Sequence, residues 1–149
     1  MLPRLHRFAA LVATLCIALF FTSTLVVELV GTTESIVRIK SLILSPGLWI
    51  LIPAIALTGI TGAIMGQHSQ NTFVVRKKKR MPFIALNGVV ILIPAAYFLH
   101  HWASLGEFTA TFYLVQGIEL LAGAINLTLM TLNIRDGRKL HAKASKRMI

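Results

Sequence analysis

The chain has 149 residues, of which 56% are hydrophobic and 13% are charged, and its formal net charge is +10 at pH 7. A soluble domain is nearer to about 45–50% apolar, and charges confined to a few segments are typical of a polytopic membrane protein. The composition therefore argues against a soluble enzyme domain, and the length leaves room for four membrane spans with short loops. Cys16 is the only cysteine, so no internal disulfide is expected.

The first predicted span covers residues 8–29, after a start that carries Arg4 and Arg7. A signal peptide also starts with positive charge, but its apolar core is only ~7–15 residues long. We therefore expect an uncleaved helix here. The second predicted span covers residues 42–66, and Pro53 inside it is expected to kink the helix.

The third predicted span, residues 82–101, follows a loop of residues 67–81 that contains the basic run Arg76-Lys77-Lys78-Lys79-Arg80. The fourth predicted span covers residues 109–133, and we expect the helix to end there. A basic tail, residues 134–149, completes this single four-span transmembrane domain.

The positive charges predict the orientation of the spans. Only Arg38 and Lys40, of the 15 lysines and arginines, lie on the side opposite to the chain ends and the basic run. Because cytoplasmic segments carry the excess of Lys and Arg, we expect both termini in the cytoplasm. The predicted fold class is all-α: an integral four-helix bundle, N-in and C-in, in the inner (plasma) membrane.

The fourth span carries a narrow polar stripe. At ~100° per residue, Gln116, Glu119, Gly123 and Asn126 fall within an arc of ~80°. Glu119 lies ~15 Å from the start of the span, near the middle of a ~30 Å hydrocarbon core. A carboxyl at that depth must face protein, pair, or serve a function. Two interpretations remain open: a protonatable group in a transfer path or ligand site, and a carboxyl that fixes helix packing.

Polar residues in all four spans are predicted to lie at a similar depth. They are Thr14, Thr61, Asn87 and Asn126. Side chains of this kind hydrogen-bond across membrane helices and contribute ~0.6 kcal/mol each on average. They are interpreted either as structural glue or as part of a ligand or proton path.

Charged residues near the membrane surfaces carry separate predictions. Glu28 and His101 both lie near the outer end, where they either pair across the bundle or reach interfacial water. The basic run is interpreted as a topology anchor that contacts anionic lipid headgroups. Nucleic acid is not an expected partner, because the run lies beside the bilayer and lacks interleaved aromatic residues.

Histidine placement limits the options for haem. A b-type haem in a helix bundle commonly needs two histidines at matching depth. Only His6 with His68 meets that condition, at the cytoplasmic rim. The sequence contains no metal-ligand cluster, no phosphate-binding loop and no serine elbow, so no metal site and no catalytic residue are predicted.

These patterns predict a small non-enzymatic subunit or accessory protein of an inner-membrane complex. Its expected partners are the lipid bilayer and either other membrane subunits or further copies of itself. One alternative is an electron-transfer protein that binds haem b or quinone. A second alternative is a proton-linked carrier of a small molecule that uses Glu119.

Overall fold

The computed structural model describes residues 1–145, and these are helical throughout except for short turns, with no strand among them. Four long helices follow one another: α1 (Leu2–Val30), α2 (Thr33–Gly66), α3 (Thr72–Ser104) and α4 (Ala110–Ser145). Each is long and apolar enough to cross a membrane. The prediction of an all-α chain with four helices that are long and apolar enough to span a membrane is confirmed.

Successive helices run in opposite directions. His6 near the start of α1 contacts Thr61 near the end of α2, and Arg80 near the start of α3 contacts Asp136 late in α4. We call the end of the bundle that holds these contacts the terminal end, because α1 starts there. The opposite end, with the turns of residues 31–32 and 105–109, is called the far end.

The second helix begins at Thr33, nine residues before the predicted start of the second span at residue 42. Thr32 caps the helix, since its side-chain oxygen accepts a hydrogen bond from the Ser35 N–H at 3.3 Å. α2 is kinked by a wide, partly non-helical turn at Ile43–Gly47, across which the Leu48 N–H donates to the Ile43 carbonyl, five residues back.

The wide turn of α2 is explained by Pro46. A proline in a helix lacks an N–H and clashes with the carbonyl four residues before it, and it pushes the preceding residue to extended backbone. Ser45 accordingly has φ −145° and ψ 120°. The α-helix of Leu48–Gly66 continues through Pro53, so the interruption of α2 lies at Pro46.

The third helix, which starts at Thr72, also begins before the predicted start of its span at residue 82. The Asn71 side chain caps α3 by accepting a hydrogen bond from the Phe73 N–H at 3.0 Å. The expectation of a loop over residues 67–81 is therefore wrong: only residues 67–71 form the turn, and the basic run is helical. A second wide turn, Gly88–Leu92, precedes Pro94, whose ring would otherwise meet the carbonyl of the preceding turn.

The fourth helix ends later than predicted. It continues past residue 133 to Ser145, through the polar segment that was expected to end it. The last part of the predicted basic tail, residues 146–149, lies outside the described residues.

Two apolar clusters form the core. α1 buries Ala9, Ala13 and Ile17, which are spaced four residues apart and so share one helix face. The small side chains of Ala9 and Ala13 let α1 approach α2 closely. The first cluster, in the part of the bundle nearer the terminal end, comprises Ala13, Ile17, Leu51, Ala54, Ile84 and Met130. The second cluster, near the far end, comprises Ile36, Ala95, Leu99, Ala103 and Phe112.

Candidate functional site: a buried charge cluster and its cavity

The polar stripe of α4 faces the interior of the bundle. Gln116 and Asn126 are buried, and the side chain of Glu119 is 12% exposed. The stripe also extends further than predicted, because Asn133 and Asp136 are buried on the same side of α4. A buried polar group on this stripe must find a hydrogen-bond partner within the protein or remain unsatisfied.

Lys40 supplies the partner of Glu119. Its Nζ donates to Glu119 Oε2 at 2.7 Å, and its side chain is 1% exposed. Lys40 follows Ile36 by four residues and precedes Ile43 by three, so the three side chains share the buried face of α2. The sequence placed Lys40 in an outer connection, and this ion pair was missed.

Two further polar residues complete what we call the Lys40 cluster: Glu28, Lys40, Gln116 and Glu119. The Gln116 amide donates to Glu119 Oε2 at 2.9 Å, so one carboxylate oxygen accepts two hydrogen bonds. Glu28 interacts electrostatically with both Lys40 and Glu119, and its Oε1 is buried with no hydrogen bond in the described chain. One ammonium group thus faces two carboxyl groups.

The predicted outer polar pair is not formed. No hydrogen bond or ion pair among the described residues joins Glu28 to His101. The ring of His101 is instead exposed and stacks on Tyr97, with centroids 6.4 Å apart. Of the two interpretations left open for Glu28 and His101, pairing across the bundle is therefore not seen, and Glu28 interacts electrostatically with the buried Lys40.

The four residues of the predicted polar layer do not form one hydrogen-bonded network but make three separate contacts. Asn87 Nδ2 donates to Asn126 Oδ1 at 2.8 Å, and Asn126 Nδ2 donates to the Ile84 carbonyl at 3.3 Å. These bonds join α3 to α4. Thr61 lies with His6 instead, and Thr14 donates to the Ala10 carbonyl of its own helix.

The two histidines considered for haem have different surroundings. His6 Nδ1 lies 3.0 Å from the Thr61 hydroxyl, which ties α1 to α2, and the ring packs near Gly62. His68 is exposed in the turn between α2 and α3. Among the side chains that the structure describes, no group of three or more His, Cys, Asp or Glu is arranged to hold a metal ion.

The residues of the basic run differ in their exposure: three are exposed to solvent and two are partly buried. Arg76, Lys78 and Lys79 are exposed, and Lys77 is partly buried. Arg80 turns inward, and its Nη1 donates to Asp136 Oδ2 at 2.7 Å. This second ion pair was not predicted, because Asp136 was placed in the tail.

A cavity of about 50 Å³ lies beside Glu119. Its walls come from all four helices, and ten of the lining residues are Ile, Phe, Leu, Ala or Gly. The polar lining residues are Thr24 and Glu119. The cavity is partly open. A carboxylate fixed by two donors, next to an apolar cavity, is a hydrogen-bond acceptor held in place.

No protein family, curated protein or solved structure matches this chain.

Proposed function

We propose that the chain is a non-enzymatic subunit or accessory protein of an inner-membrane complex, with both termini in the cytoplasm and its polar interior used to hold the four spans together. The observation that carries this proposal is the Lys40–Glu119 ion pair. Glu119, the sharpest functional candidate in the chain, is bonded through Oε2 to Lys40 on another helix, so it contributes to helix packing.

The other buried polar groups support the same interpretation. Asn87 bonds Asn126, Arg80 bonds Asp136, and His6 bonds Thr61. Each contact joins two different helices, as expected of polar groups that specify the arrangement of a membrane bundle. Large apolar side chains cover the outside of the spans and suit a lipid or protein surround.

Two observations disfavour the alternatives. A carrier that moves protons through Glu119 would have to break its bonds to both Lys40 and Gln116 in each cycle, and the packing interpretation requires no such rearrangement. A haem could bind His6 through Nε2 with the Thr61 contact at Nδ1 intact. Its second predicted ligand, His68, is however exposed in the turn between α2 and α3.

The proposed orientation predicts which turns are accessible from outside. In a Cys16→Ser background, Glu107→Cys on the far end should react with a membrane-impermeant maleimide in intact spheroplasts. Gln70→Cys, in the turn at the terminal end, should react only after permeabilisation. Both positions are exposed, so burial does not bias the comparison. Labelling of Gln70→Cys but not Glu107→Cys in intact spheroplasts would reverse the orientation.

Membership of a complex predicts the size of the native particle. The protein, tagged at its own locus and extracted in a mild detergent, should elute with a protein mass well above its own 16.4 kDa. Light scattering combined with refractive index gives that mass without the detergent. Mass spectrometry of the same peak should identify stoichiometric partner chains. A mass of one chain, or a whole multiple with no second protein, would contradict the proposal.

A further inference from the structure

We propose that the cavity beside Glu119 binds the hydroxyl end of a neutral, unbranched long-chain alcohol, whose apolar chain extends towards the surrounding lipid. The inference goes beyond a role in a complex, because it assigns a ligand to this chain by itself. It depends on the polar groups in the cavity, their net charge, and the size and lining of the space.

Two polar groups at the cavity are free to bond a ligand. Glu119 uses Oε2 for both of its hydrogen bonds, and Oε1 has no partner in the described chain yet is not closed off by protein. Thr24 is 2% exposed and also makes no hydrogen bond within the described residues. A ligand hydroxyl matches this pair, since it donates to the carboxylate and accepts from the threonine.

The charges around the cavity favour a neutral ligand. Lys40 is already paired with Glu119 at 2.7 Å, so a cationic ligand would have to place a second positive charge beside the Lys40 ammonium. A carboxylate ligand would instead face the negative charges of Glu119 and Glu28. A neutral hydroxyl is the donor that adds no charge to the cluster.

The space favours a chain over a ring. A buried apolar cavity that accepts benzene has a volume of roughly 150 Å³, whereas this one has about 50 Å³. Phe20, Leu51, Leu92 and Leu120 line it and present methyl, methylene and aromatic carbon atoms to the ligand. All the lining residues lie within helices that are long and apolar enough to cross a membrane, and the cavity is partly open.

The test uses the full-length protein in phosphatidylcholine nanodiscs. The probe is hexadecanol with a photoreactive diazirine near the hydroxyl and a terminal alkyne for detection. We expect labelling to saturate and to map to peptides around Thr24 and Glu119. Unlabelled hexadecanol should compete, and hexadecyl methyl ether, which cannot donate a hydrogen bond, should compete at least about tenfold less well.

Variants test the residues assigned to the site. Thr24→Val removes the hydroxyl at constant shape and should weaken labelling about fivefold to tenfold. Thr22→Val is the matched control, because that hydroxyl is exposed and bonds only to its own helix. Gly123→Ala narrows the cavity from another side, since its Cβ would lie 3.4 Å from Phe21 Cδ2, and it should also reduce labelling.

Three results would overturn the proposal. The first is equal competition by the ether, which would mean that the hydroxyl is not recognised. The second is labelling spread over all the lipid-facing surfaces and unchanged in Thr24→Val and Gly123→Ala, which would indicate lipid contact without a site. The third is equal competition by a short-chain quinol, which would show that the cavity accepts a ring and would favour the electron-transfer alternative.

Discussion

Replacing Lys40 with methionine should destabilise the folded bundle by about 3–5 kcal/mol, the typical effect of removing one partner of a buried ion pair. Methionine fills a similar volume, so the loss comes from charge rather than from a cavity. Its cause is Glu119, which would keep its carboxylate in the interior with Gln116 as its remaining donor and with Glu28 nearby. The change is measured as the shift of SDS-induced unfolding in mixed micelles, followed by circular dichroism.

A double-mutant cycle separates the ion pair from other effects of the substitution. Lys40→Met combined with Glu119→Gln removes both charges, and we expect the double variant to recover most of the stability lost in the single one. Arg38→Met is the matched control, because Arg38 lies two residues away and is exposed. It should change the free energy of unfolding by no more than about 0.5 kcal/mol. Equal losses in Lys40→Met and Arg38→Met would show that the pair does not stabilise the fold.

The number of spans was predictable because it depends on the length and hydropathy of each segment alone. The ends of the spans were less predictable, since polar residues were taken as the boundary. α2 starts at Thr33 and α4 ends at Ser145, and in both cases the added turns carry charged residues. Helices continue through charged segments when a buried partner or solvent accepts those charges, and a single sequence does not show which partner is available.

The candidate site was predictable on α4 but not on α2. The stripe of Gln116, Glu119 and Asn126 is visible in the sequence because one helix determines its spacing. Lys40 was missed because its partner lies 79 residues away and no local pattern connects them. A signal was present: Lys40 stands at helical spacing between Ile36 and Ile43, which would bury it if the helix began before residue 42.

Replacing Arg80 with methionine is the second change with a large expected effect, about 3 kcal/mol of lost stability. Its partner Asp136 has a side chain that is only 2% exposed, so the carboxylate would remain buried without its main donor. Asn133 would lose the donor at 3.3 Å as well. The nearby ammonium of Lys77, which interacts with Asp136, keeps the expected loss at the lower end of the range for buried pairs.

The Arg80→Met variant also distinguishes a buried ion pair from a surface ion pair. Arg80 is 20% exposed, and a pair that behaves as a surface contact contributes only about 0–1 kcal/mol and weakens with salt. The burial of Asp136 predicts the opposite: a large loss of stability that is the same at low and high NaCl. Adding Asp136→Asn to the Arg80→Met variant should restore most of that stability.

Lys79→Met is the matched control, since it removes one positive charge from the same run at an exposed position. A loss in Arg80→Met no larger than in Lys79→Met would show that the ion pair does not stabilise the fold. The polar contacts that stabilise the bundle would then be the Lys40 cluster and the Asn87–Asn126 pair between α3 and α4.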